Sequence, residues 1–174
     1  AADADAPQQE PSAAPIARAE GVAAVVPFVL VPPDPDAELL GEFMAEVRDY
    51  LNQSEAALLA LETSPDDAEA VNTVFRAFHT IKGTAGFVGT DAMAQVAHRA
   101  ETLLSRVRDH EVRYEGAYAD LALQATDMIG MLVKSLEEGI ATGIAPKPEG
   151  FDLLLRQLDD PEAVVVSSDA AAGH

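Results

Sequence analysis

The sequence contains no cysteine, which excludes disulfides and thiolate metal sites and is compatible with a reducing compartment, the cytoplasm. Positive charge is scarce. Eleven Lys and Arg stand against 30 Asp and Glu, a formal net charge of −19. Such a balance repels a phosphate backbone and argues against nucleic acid or an anionic lipid surface as partner. Long hydrophobic runs are missing too. The longest uncharged apolar tract outside the expected helices, "GVAAVVPFVLVPP" at 21–33, is too short for a membrane span and is interrupted by proline. With neither a starting methionine nor a signal pattern, the chain reads as a piece of something longer.

What is present is enough for one domain: 174 residues, 48% of them apolar, can bury a real core and leave length for tails. Residues 1–33, rich in Ala and Pro with scattered acids, offer no helical stripe and read as an acidic linker. Within it, "VAAVVPFVLV" is either a sticky linker patch or an extended segment docked on the body or on a neighbouring module. Residues 161–174 resume that composition and are expected to be a loose tail. Between the tails, over 34–160, apolar residues recur three and four apart and no stretch alternates for long, so the expected class is all-α.

The first helix opens at "DPDAELL" with Asp34 or Asp36 as cap, and its stripe runs Leu40, Met44, Val47, Leu51, Ser54, Leu58, Leu61. The second opens at "SPDD", with Ser64 as cap, carries Val71, Val74, Phe75, Phe78, Ile81 and Ala85 inward, and ends near Gly89. A third starts after Thr90 and buries Met93, Val96, Ala97, Ala100, Leu103, Leu104 and Val107. The fourth carries Leu121, Ala125, Met128, Leu132 and Leu136 and stops at Gly139. A short fifth, 149–159, has Phe151, Leu154, Leu155 and Leu158 on one face. Long helices joined by short turns pack antiparallel, which predicts a four-helix bundle with the fifth helix covering one end or side.

One stretch does not fit a plain core helix: "FRAFHTIKGTAGFVG", 75–89, puts a histidine, a lysine and three glycines where leucine and alanine would serve. At about 100° per residue the inward stripe leaves His79 facing outward, on a flank shared with Asn72, Arg76, Gly83 and Gly86. Lys82 is one turn on, placed to meet a negative group carried on the imidazole. Gly83 weakens a helix interior by roughly 1 kcal/mol relative to alanine, and a glycine at such a place leaves room for a close approach. Alternatively, His79 is an ordinary surface histidine and the glycines are sites of close helix packing.

On the third helix His98 and Glu101 are three apart on a flank that an antiparallel bundle could bring against His79. A carboxylate there would fix the tautomer and leave the other ring nitrogen nucleophilic. His79, His98 and Glu101 have the ligand types of a catalytic zinc, but an ammonium from Lys82 beside a divalent cation argues against metal. These residues also sit in the least acidic part of the chain: 63–115 holds six basic side chains against eight acidic ones.

The stretches "DDAEAVNTVFRAFHTIKGTAGFVG" at 66–89, "HRAETLL" at 98–104 and "FDLLLRQL" at 151–158 together resemble the histidine-containing phosphotransfer (HPt) domains, in particular the N-terminal domain of CheA-type chemotaxis kinases. The resemblance covers about 36–159. It implies that His79 receives the γ-phosphoryl of ATP from a separate kinase domain and hands it to an aspartate on the receiver domain of a response regulator. It further implies that Lys82 stabilises the phosphoryl oxygens, that Gly83 clears the approach, and that Glu101, with His98 beside it, holds the other ring nitrogen. A direct role and a structural role remain open for His98. The partner surface is expected to include Arg76, Phe78, Gly83 and Gly86. The chain has no glycine-rich phosphate loop, so ATP and Mg are expected to come with partner domains, and the domain to act as phosphocarrier, not enzyme. As an isolated domain it is expected to be a monomer. Two other readings stay open: a relay between two receiver domains of a hybrid kinase, and an unphosphorylated binding scaffold.

Overall fold

A computed structural model describes residues 28–173. It contains, among the described residues, six helices and no strand: α1 (Ala37–Thr63), α2 (Ala68–Val88), α3 (Asp91–Arg108), α4 (Gly116–Thr142), α5 (Phe151–Asp159) and α6 (Pro161–Ala172). Helix α2 packs against α1 and α3, and α4 closes the ring against α3 and α1, which makes the four-helix bundle that the periodicity predicts. Every residue named above in the stripes of α1, α3 and α4 is buried. Helix α5 lays Phe151, Leu154, Leu155 and Leu158 onto α3 and α4.

The helix ends follow local chemistry. Asp36 caps α1 by accepting from the Leu39 amide at 3.0 Å. Helix α2 begins later than expected, because Asp67 and not Ser64 is its cap, accepting from the amides of Glu69 and Ala70. Ser64 instead ends α1, donating its amide to the Ala60 carbonyl. Gly89, at φ 81°, terminates α2 in the left-handed conformation that glycine adopts without steric cost. Helix α4 runs past the expected stop at Gly139 and ends with Gly143 at φ 80°. Gly139 serves close approach, not termination: a Cβ there would fall 2.6 Å from Val31 Cγ2.

Two expectations about the tails need correction. Of the supposed linker, residues 1–27 lie outside the described residues, but 28–31 belong to the body. Leu30 is buried in the core, Phe28 meets the Phe151 ring edge-on at 5.1 Å, and the Val29 carbonyl accepts the Ala92 amide at 2.7 Å. That last bond satisfies one of the amides that the first turn of α3 cannot pair internally. The docked alternative for "FVLV" is therefore the one realised. At the other end, 161–172 form α6 instead of a loose tail. Pro161 is at its first turn, Asp160 caps it through the Ala163 amide, and Glu162 holds it to α3 and α4 through Arg106 and Tyr118. Composition alone missed it because its apolar face is thin: Pro161 is its one fully buried side chain.

Candidate functional site

Helix α2 turns one face inward through Val71, Val74, Ala77, Phe78, Ile81 and Ala85, all buried. One residue beyond Phe78, a further 100° round, His79 emerges on the surface with 62% of its side chain exposed. Its partner comes from α3. Glu101 is only 14% exposed, and its Oε1 lies 2.9 Å from His79 Nδ1. Lys82, one turn along α2, brings Nζ to 2.6 Å from the other oxygen, Oε2. One carboxylate thus bridges an imidazole and an ammonium across the α2–α3 seam.

Partial burial acts to raise the Glu101 carboxyl, but the hydrogen bonds and charges of His79 and Lys82 outweigh it and hold the group below its ordinary 4.5. An ionised carboxylate only accepts, so Nδ1 carries the proton of the neutral ring and Nε2 keeps the lone pair. The arrangement is therefore that of a held nucleophile: an exposed ring, one nitrogen anchored, the other free to react, with a cation one helical turn away.

Gly83 and Gly86, beyond His79, have no packing role among the described residues. A Cβ built at Gly83 or Gly86 would meet nothing within 4 Å, so the reading of close helix packing fails for both. They leave the surface beside the ring bare. Arg76 is exposed on the same flank. Phe78, expected both inward and on the partner surface, is 1% exposed and belongs to the core alone. The large apolar group actually presented there is Phe87, 83% exposed and one turn beyond Gly83. It was overlooked, although its position off the 71, 74, 78, 81, 85 stripe was readable in the sequence.

His98 stands beside this cluster without a hydrogen bond to it. It is exposed, it borders a shallow cleft of about 250 Å³ that Phe75, Lys82, Glu101 and Arg106 also line, and among the described residues its ring makes no hydrogen bond. Among the described residues no three His, Cys, Asp or Glu side chains gather as metal ligands would, so His79, His98 and Glu101 do not form such a set. Phe75, expected in the inward stripe, is only half-buried and lies against the His79 ring.

The chain is similar to known proteins. The family model for the Hpt domain matches residues 38–140. The chemotaxis protein CheA of Treponema pallidum is 35% identical over 102 residues, covering 59% of this chain and 13% of that protein. CheA of Cereibacter sphaeroides is 32% identical over 141 residues, covering 79% of this chain and 18% of that one. The chain thus spans under a fifth of these curated relatives. Among solved structures, the CheA phosphotransferase domain from Thermotoga maritima is 36% identical with a TM-score of 0.57, covering 60% of this chain and 99% of that one. The phosphorylated P1 domain of CheA3 from R. sphaeroides, solved in complex with CheY6, is 32% identical with a TM-score of 0.61, covering 72% of this chain and 96% of that one. With the family model spanning more than half of the sequence and including both the histidine helix and the glutamate that faces it, the chain belongs to the Hpt-domain family.

Proposed function

We propose that this chain is the phosphoacceptor module of a chemotaxis-type two-component system. His79 takes the γ-phosphoryl group of ATP from a histidine-kinase ATP-binding domain and passes it to an aspartate of a response-regulator receiver domain. The observation that carries the reading is the 2.9 Å contact between His79 Nδ1 and Glu101 on an otherwise exposed ring. In the first step the Nε2 lone pair attacks phosphorus in line, the N–P bond forms, and the bond to the departing ADP oxygen breaks. The ring becomes cationic as it does so, and the Glu101 carboxylate, already ionised, stabilises that charge through Nδ1–H. Lys82, tethered to Oε2 at rest, has only to rotate its terminal bonds to meet the new phosphoryl oxygens.

In the second step the receiver aspartate attacks the same phosphorus from outside, and the N–P electrons return to Nε2. In-line attack needs an unobstructed approach, which the bare backbone at Gly83 and Gly86 provides. Phe87 gives the incoming domain an apolar anchor beside it, with Arg76 at the edge. ATP and Mg belong to the partner domains in this scheme, and the module itself is a carrier, active as a cytoplasmic monomer. No helix among the described residues is long and apolar enough to cross a membrane.

The test is a labelling experiment with a chemotaxis kinase core, magnesium and labelled ATP, comparing the chain with His79→Gln. Acid-labile, base-stable label on the first and none on the second is expected, followed by its loss to a cognate regulator. Label gained only from a phosphorylated receiver would replace this reading by a relay between receivers. Label from neither donor would leave a binding scaffold.

A further inference from the structure

A single hydrogen bond holds an imidazole at one atom and leaves the ring free to librate about that contact. His79 has Glu101 on Nδ1, yet more than half of its side chain is exposed. Something must also fix the plane of the ring if Nε2 is to be aimed. Phe75, four residues earlier and therefore one turn below on the same face of α2, lies nearly parallel to the imidazole, with ring centroids 6.1 Å apart and 20° between planes. Phe75 is itself only half-buried, so the core alone does not immobilise it.

Besides the core against which it packs, the Phe75 ring meets the last residue of α3. The Arg108 guanidinium sits over the Phe75 ring, 4.3 Å from its centroid. Arg108 is in turn tied down at both ends of its fork: Nε donates to Asp109 Oδ1 at 3.1 Å and Nη2 to Ser105 Oγ at 3.3 Å. It is folded back along its own helix onto an aromatic face.

We propose that Phe75 and Arg108 are positioning residues for His79: Arg108 clamps the Phe75 ring, and Phe75 sets the plane of the imidazole so that Nε2 points along the line of phosphoryl transfer. The proposal rests on the reading of His79 as phosphoacceptor. Helix α3 then grips the reactive ring twice, through Glu101 at the nitrogen and through Arg108 by way of Phe75 at the face. Neither Phe75 nor Arg108 touches the transferred group. Their effect is on geometry, where small misalignments at the reacting atoms cost large factors in rate.

Three variants of the whole chain test this: Phe75→Leu removes the stack but keeps an apolar side chain, Phe75→Tyr keeps the stack, and Arg108→Gln removes the cation from a half-buried position. Two readouts are needed: the order parameter of the His79 ring from ¹³Cε1 relaxation, and kcat and KM for phosphoryl acceptance from a chemotaxis kinase core. Phe75→Leu is expected to lower the ring order and to reduce kcat roughly tenfold with KM within about twofold. Arg108→Gln should give a smaller loss of the same kind, and Phe75→Tyr should behave like the unaltered chain. Unchanged ring order and kcat in both Phe75→Leu and Arg108→Gln would overturn the proposal. So would equal losses in the Leu and Tyr variants without a change in ring order, since Phe75 would then matter only to the fold. If the unaltered chain takes no label from any donor, the phosphoacceptor reading falls, and the ring-order measurement still decides whether the clamp exists.

Discussion

Replacing Glu101 by glutamine isolates the charge of the carboxylate while keeping its size. In the unaltered chain the group is 14% exposed, accepts from His79 Nδ1 at 2.9 Å and faces Lys82 at 2.6 Å. A hydrogen bond to a charged partner contributes about 1.5–3 kcal/mol net. Most of that should appear in the transition state, because the imidazole gains positive charge as the N–P bond forms and the neutral resting ring has none. Dividing by about 1.4 kcal/mol per factor of ten, the expected fall in transfer rate is between about 10- and 100-fold. Glutamine adds a second fault: its NH₂ can donate to Nδ1, which places the proton on Nε2 and removes the nucleophile. Glu101 reaches His79 from beneath, so KM for the kinase core should stay within about twofold. The assay is single-turnover labelling with excess kinase core, alongside thermal unfolding to establish that the variant is folded. A rate within twofold of the unaltered chain, with the fold intact, would refute the account of Glu101.

The same carboxyl gives a prediction about pH. It titrates below its ordinary 4.5 in the folded protein, so its stabilisation is complete above that value and is lost as the pH falls through the depressed folded pKa. The stability difference between the chain and Glu101→Gln, read from urea unfolding, should therefore shrink as the pH falls below about 4.5. Glycine substitutions should have opposite signs at two sites: Gly86→Ala, with open space around its Cβ, should stabilise by up to about 1 kcal/mol. Gly139→Ala, where Cβ would fall 2.6 Å from Val31 Cγ2 and 2.8 Å from Ala145 Cβ, should destabilise by about 1–3 kcal/mol, both read by thermal unfolding. Gly83→Gln should also stabilise, by up to about 1 kcal/mol, yet slow transfer to a regulator, since its side chain occupies the approach to the ring. Leu30→Ala should cost about 2–5 kcal/mol, a loss that a mere linker residue would not produce.

The bundle was legible because burial on a helix leaves a periodic trace. Leu40 to Leu61, Met93 to Val107 and Leu121 to Leu136 were each placed by three-and-four spacing, and each is buried. His79 was legible for the complementary reason, as a polar residue off that stripe. What periodicity does not contain is distance across a helix pair. The sequence placed His98 and Glu101 on one flank of α3, but only the packed α2–α3 seam separates Glu101, which reaches the ring, from His98, which does not. Phe78 shows a different limit: the stripe reading sends it inward and its adjacency to His79 puts it on the partner surface, and of the two only the inward reading holds. Helix α6 escapes the sequence reading because it buries few side chains, and the strap at 28–31 stands there only as one of two alternatives because composition does not show what a short apolar stretch packs against.

The site and the fold divide α2 between them without competing. Two bare glycines on its outer flank weaken the helix by roughly 2 kcal/mol in all. The inner flank offsets this, since burying side chains such as Val74, Phe78 and Ile81 stabilises by about 1.5–3 kcal/mol each. Because α1 and α3 both cover that inner flank, the helix holds its shape by packing and does not depend on the propensity of its exposed residues. The outer flank is then free to be shaped for an incoming partner, with the ring exposed, its neighbours small and its one large apolar group, Phe87, left in water. A substitution that improves α2 as an isolated helix should for this reason impair it as a donor, and the clearest case is Gly86→Ala: more stable, yet slower to surrender its phosphoryl group in a stopped-flow transfer assay with the regulator. Equal transfer rates alongside raised stability would mean that the bare flank is not where the partner approaches.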